Sequence, residues 1–274
     1  MVSRFTAADG PEGWCVSMSV VPAEARKIGL ARALSKMGYC SRAQAVRLIR
    51  AGRVNLNDVT RRDPESPTRL DQDRIMVDGK VVETVRHVYL MMNKPRGLVT
   101  TASDEKGRET VYSILQADAK SFPWVAPIGR LDKASEGLLL LTNDSEWGAR
   151  IAAPETHLEK TYHVQINCVA SEEMLNALQK GVRSDEELLR ANACRLLRSG
   201  EKNSWIEITL KEGKNRQIRR MLTALGVEVL RLLRVKIGPL QLGSLPKGAC
   251  RSLSAEEKVS LDRAMWNVGS RGQF

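Results

Sequence analysis

The chain has 274 residues, of which 42% are hydrophobic, so it can bury a core as one large domain or as a large and a small domain. Its 43 lysine and arginine residues exceed its 32 acidic residues, and the resulting charge of +11 favours a polyanionic partner such as a nucleic acid. No segment reaches the roughly 20 apolar residues of a membrane span. There is also no Cys-x-x-Cys pair and no histidine pair at i, i+4, which argues against a metal site.

The N-terminal 27 residues form the first segment. They contain no long apolar run and do not resemble a secretory signal, so we expect a mobile tail at residues 1–27. The five cysteines of the chain are odd in number and widely spread, which fits a protein of the reducing cytoplasm.

Short helices and short strands follow the tail. An apolar stripe predicts a first helix that starts near Ile28, and Ser41 is placed to cap a second helix at Arg42–Ala51. A short strand is expected at Val54–Asn57, and Asp78-Gly79 between apolar residues predicts a hairpin. We therefore predict one small compact domain at residues 28–84.

The polar side of this small domain is basic. A solvated helix face is often basic by chance, so the pattern alone does not decide between a plain surface and an RNA contact. The residues that we expect to contact RNA are Arg32, Lys36, Ser41, Arg42, Gln44, Arg47, Arg50, Arg53 and Asn55.

Three strings in this domain resemble a known RNA-binding module. They are Leu-Ser-Lys-Met-Gly-Tyr-Cys-Ser-Arg-Ala-Gln-Ala, Leu-Ile-Arg-Ala-Gly-Arg-Val-Asn-Leu-Asn and Asp-Arg-Ile-Met-Val-Asp-Gly-Lys. Together they resemble the small α-L RNA-binding domain named after a ribosomal small-subunit protein, over Ile28–Val82. Asn57-Asp58 departs from the usual Asn-Gly of that family, which affects a turn more than the RNA-binding face.

A second domain is expected at residues 88–262, after a linker at Thr84–Val88. Strands are predicted at Tyr89–Met92, Leu138–Leu141, Thr161–Ile166 and Trp205–Leu210. Helices are predicted at Glu146–Ala152, Glu172–Lys180 and Lys214–Leu225, and a last helix begins with a capping box at Ser254–Glu257. Strands and helices without regular βαβ alternation indicate an α+β fold with a mixed, mainly antiparallel sheet. Residues 263–274 are expected to be a loose C-terminal tail.

An acidic side chain stands between a turn and an apolar strand in this second domain. Gly129-Arg130-Leu131-Asp132 precedes four consecutive leucines, which predict a strand buried on both faces. A carboxylate at the rim of a core must be partnered or used. An aspartate in a glycine-flanked loop often only caps a turn, so Asp132 has both a structural and a functional interpretation.

Two further strings contain candidate functional residues. In Gly213-Lys-Asn-Arg-Gln-Ile-Arg-Arg-Met221, apolar residues repeat at helical spacing, and Arg216, Arg219 and Arg220 lie near the N-terminal end, where backbone amides favour anions. Such arginines are commonly simple phosphate or solvent contacts. In Lys160-Thr-Tyr162-His-Val164, alternation places the lysine, the tyrosine and the valine on one strand face, where a tyrosine is usually a core residue.

Taken together, these three strings resemble the signatures of the pseudouridine synthases. The resemblance covers roughly residues 28–255 and is closest to the branch that modifies bacterial ribosomal RNA with an N-terminal α-L module. It implies that Asp132 is catalytic, that Tyr162 stacks on the target base, and that Arg219 forms an ion pair with Asp132. It also implies an RNA-backbone contact by Arg130, and it implies no cofactor and no metal. RNA contacts are expected of Arg216 and Arg220 as well, from their position near the N-terminal end of their helix.

The resemblance predicts an RNA pseudouridine synthase that acts on ribosomal RNA or a ribosome-assembly intermediate, in the cytoplasm, as a monomer and away from membranes. Large-subunit RNA is favoured, and small-subunit RNA remains the alternative. The competing hypothesis is a non-catalytic RNA-binding assembly factor. A serine hydrolase centred on Ser135 is excluded, because Lys133 occupies the first glycine position of Gly-x-Ser-x-Gly.

Overall fold

The computed structural model of the chain describes residues 27–102, 104, 106–117 and 122–269. Its N-terminal part contains two helices and six short strands. They are β1 (Ile28–Gly29), α1 (Leu30–Lys36), α2 (Arg42–Arg50), β2 (Val54–Leu56), β3 (Val59–Arg61), β4 (Pro67–Thr68), β5 (Ile75–Val77) and β6 (Lys80–Val81).

The N-terminal part folds around its own core. Strands β2, β3, β5 and β6 form an antiparallel sheet in the order β3-β2-β5-β6, and the apolar sides of α1 and α2 join its core. The α2 helix begins with a capping box, because the Ser41 hydroxyl accepts from the Gln44 amide while the Gln44 side chain accepts from the Ser41 amide. Asp78 and Gly79 have φ values of +50° and +77°, as a tight two-residue hairpin requires. The predicted helices and hairpin are confirmed.

The remainder of the described chain contains five helices, a short 3₁₀ turn and eleven strands. They are β7 (Tyr89–Lys94), α3 (Tyr112–Ala117), β8 (Ala126–Ile128), β9 (Glu136–Thr142), α4 (Ser145–Ala152), the 3₁₀ turn (Pro154–Thr156), β10 (Lys160–Ile166), α5 (Glu172–Lys180), β11 (Val182–Ser184), β12 (Glu187–Leu189), β13 (Ala193–Ser199), β14 (Ser204–Leu210), α6 (Gln217–Ala224), β15 (Val229–Ile237), β16 (Leu240–Gln241), β17 (Cys250–Ser252) and α7 (Ala255–Gly269).

Nine of these strands form one large sheet. Its main path is β13-β14-β10-β15-β9-β7-β17, with β16 paired to β15 and β8 paired to β9. The β9–β15 pair is parallel, whereas the other pairs are antiparallel. The predicted α+β fold with a mixed, mainly antiparallel sheet is therefore confirmed.

The large sheet has two faces with different coverings. On one face, which we call the cleft face, α5 and α6 cover β10, β14 and β15, while a second cluster forms around Leu139 and Leu131. Tyr162 packs against both clusters and so lies between them. On the opposite face, α4 and α7 cover Leu138 and Leu140. Every residue of β9 is buried, as the sequence predicts.

One asparagine fixes the segment that joins the two parts. The Asn143 side chain accepts from the Val88 amide at 2.7 Å and donates to the Arg86 carbonyl at 3.0 Å. The Val85 amide donates to the Met37 carbonyl at 3.1 Å, and Lys36 forms an ion pair with Glu146 at 2.6 Å. The linker is thus hydrogen-bonded to both parts of the chain.

Two predicted boundaries in the second part are wrong. Helix α6 begins at Gln217 and not at Lys214, because Arg216 adopts a left-handed conformation with φ +48°. Helix α7 continues to Gly269 and buries Met265, so the loose tail expected from residue 263 does not begin there. The expected N-terminal tail, apart from Lys27, and residues 270–274 lie outside the described residues.

Candidate active site

Asp132 lies in the turn that enters β9, and buried side chains hold its backbone. The Lys94 ammonium donates to three carbonyl oxygens, those of Pro95 at 3.0 Å, Asp132 at 3.2 Å and Ser135 at 2.9 Å. Lys94 is fully buried, and this burial lowers its pKa to about 8 although Glu136 and Asp132 oppose the shift. The turn is therefore held by the buried Lys94 side chain, which the sequence analysis did not single out.

The Asp132 carboxylate itself remains accessible. Its side chain is 40% exposed, and its Oδ2 contacts the Arg216 guanidinium at 3.3 Å. The expected ion pair with Arg219 is thus replaced by one with Arg216 in this structure. The left-handed backbone of Arg216, directly before α6, places this arginine at the cleft.

Arg219 binds the backbone around Asp132 instead. It donates to the Ala134 carbonyl at 3.2 Å and to the Val229 carbonyl at 3.4 Å, while its buried Nε has no partner. Burial and the neighbouring Arg216 lower the pKa of Arg219, and Asp132 opposes that shift. The charge of Asp132 therefore acts on Arg219, although Arg219 hydrogen-bonds backbone carbonyls and not the Asp132 carboxylate.

Tyr162 is the aromatic residue of this region. It is half-buried in β10 and packs against the clusters on both sides of the cleft face. Val164, two residues further on, is fully buried in one of those clusters, as the predicted alternation requires. The exposed part of the Tyr162 ring is available to a flat ligand.

A depression of about 520 Å³ adjoins Asp132. Its lining is rich in basic residues, which suits a phosphate backbone. These residues are Lys106, Arg108, Arg130, Lys133 and Arg216. The structure thus brings together Arg130, Asp132 and Arg216. The sequence analysis missed Lys106, Arg108 and Lys133. Their positive charge was the only feature of the sequence that could have indicated them.

Arg220 lies elsewhere, contrary to the expected RNA contact near the other arginines. Its guanidinium forms an ion pair with Glu187 at 2.9 Å and donates to the Ser184 carbonyl at 3.2 Å. These contacts tie α6 to the β11–β12 hairpin. Arg220 is therefore engaged in holding the fold.

The candidate RNA-contact residues of the N-terminal part divide into two groups. Arg53 pairs with Asp78, Lys36 pairs with Glu146, and Asn55 accepts from Thr60 at 3.0 Å. Ser41 and Gln44 form the α2 cap. Among these candidates, the residues that are exposed and form no ion pair within the described chain are Arg32, Arg42, Arg47 and Arg50.

We searched the described residues for two further features. They contain no group of three or more histidine, cysteine, aspartate or glutamate residues able to hold a metal ion. No helix among them is long and apolar enough to cross a membrane.

Comparison with known proteins assigns the chain to one family. The model of the RNA pseudouridylate synthases matches residues 88–224, and the model of the S4 domain matches residues 28–70. The chain belongs to the RNA pseudouridine synthase family. This pseudouridine synthase is accordingly an isomerase with an N-terminal S4 domain.

Individual relatives extend over almost the whole chain. The ribosomal large subunit pseudouridine synthase B of Bacillus subtilis is 36% identical over 246 residues, which are 88% of this chain and 97% of that protein. An uncharacterized RNA pseudouridine synthase of Aquifex aeolicus is 35% identical over 85% of this chain and 92% of its own length. A crystal structure of a pseudouridylate synthase covers 85% of this chain and 99% of its own, with a TM-score of 0.58 and 29% identity.

The two cleft arginines should differ in their effect on stability. Arg219→Ala leaves two backbone carbonyls without their donor, so we expect the free energy of unfolding to fall by about 1–3 kcal/mol. Arg216→Ala removes a half-exposed ion pair and should cost less than about 0.5 kcal/mol. Urea denaturation of both variants measures the difference. Equal losses would show that Arg219 does not support the turn.

Proposed function

We propose that this pseudouridine synthase isomerises a specific uridine of ribosomal RNA, with large-subunit RNA favoured over small-subunit RNA. The carrying observation is the accessible Asp132 carboxylate in a backbone-fixed turn that adjoins a basic depression. Tyr162 packs against the same apolar cluster as Leu131, the residue before Asp132. The large-subunit preference rests on the relative from Bacillus subtilis, which is named for that subunit. We propose that the substrate is this RNA or a ribosome-assembly intermediate in the cytoplasm, and that the enzyme works as a monomer.

In the proposed reaction, the target uridine leaves its stack and enters the cleft, where its base stacks on Tyr162. Asp132 attacks or electrostatically assists the substrate while the bond between N1 and the ribose C1′ breaks. The freed uracil turns within the cleft, and C5 forms a new bond to C1′ as any bond between Asp132 and the substrate breaks. The proton of C5 then leaves, and N1 takes up a proton. No other reactant is consumed, because the product is an isomer of the substrate. Enclosure of the base favours recombination over loss.

Arg219 is proposed to act together with Asp132. It fixes the Ala134 carbonyl, two residues after Asp132, and so holds the turn that carries the carboxylate. Arg130 and Arg216, which line the depression with Asp132, are proposed to contact the RNA backbone. Arg216 can exchange its exposed contact with Asp132 for a phosphate at little cost.

Mapping of pseudouridines tests the function directly. Ribosomal RNA from cells with and without this protein is compared, and the purified enzyme is then added to the unmodified RNA. We expect one or a few uridines to lose the modification in the deletion strain and to regain it in vitro. An unchanged map, together with RNA binding by the purified protein, would instead support the non-catalytic assembly factor.

We also propose a division of labour, in which residues 28–84 hold the RNA and residues 88–262 perform the chemistry. It is supported by the exposed, unpaired arginines of the S4 domain and by the position of Asp132, Tyr162 and Arg219 after the linker. The expected RNA-binding face also included Arg53, Lys36, Ser41, Gln44 and Asn55. Their side chains already form ion pairs or hydrogen bonds within the protein, so they can contact RNA only through the polar groups that these contacts leave free.

Replacing Arg42, Arg47 and Arg50 together by Ala should weaken RNA binding. Each phosphate contact that is lost should reduce the salt slope of binding by about one unit, while turnover at saturating RNA stays within about threefold. Titrations at several salt concentrations and single-turnover rates measure the two effects. A matched triple variant of Arg61, Arg62 and Arg74, on the strands and loops of the same domain, serves as the charge control. Loss of saturated turnover would contradict the division.

A further inference from the structure

Two cations on the cleft face have no acidic partner among the residues that the structure describes. Arg234 is 6% exposed, its Nε donates to the Leu138 carbonyl at 2.7 Å, and its buried Nη2 has no hydrogen-bond partner. Lys160 is half-buried, and neither it nor Arg234 forms an ion pair within the described part of the chain. An unpaired buried donor costs roughly 1–3 kcal/mol, so a fold that retains one has left a place for an acceptor.

Both cations adjoin Tyr162. Arg234 is the cross-strand partner of Tyr162 in the β10–β15 ladder, and directly opposed side chains lie about 4.5–5.5 Å apart at Cβ. Leu232, two residues before Arg234, packs in the same cluster as Tyr162, which places Arg234 on the cleft face. Lys160 shares the strand face of Tyr162 because it lies two residues earlier.

A bulge in β15 lies next to both cations. Thr161 pairs with Lys236 and Tyr162 pairs with Arg234, so β15 contains a bulge at Val235. Bulges re-aim side chains and occur next to active sites. Burial and, to a smaller extent, the charge of Arg234 lower the pKa of Lys160, as expected for two like charges that both adjoin Tyr162. An electron-rich ligand between them would relieve both the repulsion and the missing hydrogen bond.

We propose that Lys160 and Arg234 bind the carbonyl oxygens of the flipped uracil and stabilise the negative charge that this base acquires when its N1–C1′ bond breaks. This inference rests on the proposed function and assigns two catalytic residues to it. The electron pair of the broken bond stays on the base, where it is shared by N1 and the carbonyl oxygens O2 and O4. A desolvated cation interacts more strongly with that anion than with the neutral base, so the contact lowers the barrier instead of only binding the substrate.

The position of the cations favours the base over a phosphate. Arg234 is almost fully buried on the cleft face, whereas the basic residues around Asp132 line an open depression. A flipped base is held by stacking and by hydrogen bonds to its polar edge. Arg234 lies directly across the β10–β15 ladder from Tyr162, so a base that stacks on Tyr162 would lie within its reach. Removal of these cations should therefore slow the chemical step and leave RNA affinity almost unchanged.

Single-turnover kinetics with Lys160→Met and Arg234→Met test the inference. The substrate is a ribosomal RNA fragment with the mapped target uridine, tritiated at C5, and the full-length enzyme is in saturating excess. We expect each variant to release tritium about 100-fold more slowly at saturation, the usual scale for one electrostatic donor, with Kd changed less than about twofold. The melting temperature of Lys160→Met should stay equal or rise, because the change removes one of two repelling charges. Arg234→Met also removes the donor to the Leu138 carbonyl and should melt somewhat lower. Lys236→Met is the control, because Lys236 lies on the same strand and pairs with Thr161 on the opposite face.

A thio-substituted substrate identifies the bound atom. Sulfur accepts hydrogen bonds weakly, so 2-thiouridine or 4-thiouridine at the target should slow the wild-type enzyme while slowing the matching variant little further. Equal sensitivity of wild type and both variants to both substitutions would overturn the inference. Weaker RNA binding with an unchanged saturated rate would also overturn it and would assign the cations to a phosphate. Unchanged kinetics of Lys160→Met, a change at a half-buried position, would overturn it as well. A wild-type enzyme that releases no tritium would overturn the proposed function itself, and the inference with it.

Discussion

Replacing Asp132 by Asn should abolish tritium release from C5-labelled uridine, with a loss of more than about a thousandfold. The amide keeps the size of the side chain but removes the charge and the nucleophilic oxygen. The turn should keep its shape, because Lys94 and Arg219 bind backbone carbonyls there and not the carboxylate. RNA affinity should therefore change less than about threefold. Single-turnover assays and equilibrium binding on the same RNA fragment measure both quantities.

Asp185→Asn is the matched control for this experiment. Asp185 is a strongly exposed carboxylate that lies near Arg220, away from the depression, so its replacement should leave turnover within about twofold. Wild-type turnover by Asp132→Asn would remove Asp132 from the reaction. Loss of both turnover and RNA affinity would indicate a damaged cleft instead of a missing catalytic group.

Gly137→Ala should cost about 3–5 kcal/mol of unfolding free energy. Gly137 has φ +101°, and an added Cβ would overlap the Arg234 carbonyl oxygen where β9 and β15 run side by side. The strand cannot move aside, since its other residues are buried on both faces. Overpacking and an unfavourable φ therefore add together. Chemical denaturation measures the change.

Gly79→Ala separates the two causes. Gly79 has φ +77°, and nothing lies within 4 Å of its added Cβ, so only the backbone term of about 1–2 kcal/mol should remain. A loss at Gly137 no larger than the loss at Gly79 would show that β9 and β15 can separate to admit a methyl group.

Local sequence signals predicted the elements whose stability is local. The Ser41 cap, the Asp78-Gly79 hairpin, the Glu172–Lys180 helix and the four-leucine strand all appear in the structure within a few residues of their predicted bounds. Each has a hydrogen bond or an apolar run that lies within about ten residues of sequence. The assignment of the family also came from such local strings.

Strand β15 shows what local signals miss. It lies at the centre of the large sheet, between β9 and β10, yet Arg231, Arg234 and Lys236 interrupt its apolar pattern. Arg231 pairs with Glu136, and the Arg234 backbone meets Gly137. These partners lie almost a hundred residues away in sequence, so no window of the chain contains both.

The cleft contacts were missed for a similar reason. The sequence indicated that Asp132 needs a cation, and several arginines lie close together in Gly213–Met221. Whether Arg216 or Arg219 reaches the carboxylate depends on the left-handed backbone of Arg216, which an arginine rarely adopts. The buried Lys94 gave no signal at all, because its three acceptors are backbone carbonyls.

The complete burial of β9 has a consequence for how the protein opens. Local opening that exposes a segment is cheap where contacts are few, and it approaches the cost of global unfolding in a strand that is packed on both faces. The amides of Leu138–Leu141 should thus be among the last to exchange with deuterium. Asp132 is joined to that strand by three residues, so thermal fluctuations should displace it less than the exposed side chains of the S4 helices. Heat should disable the cleft only when it melts the sheet.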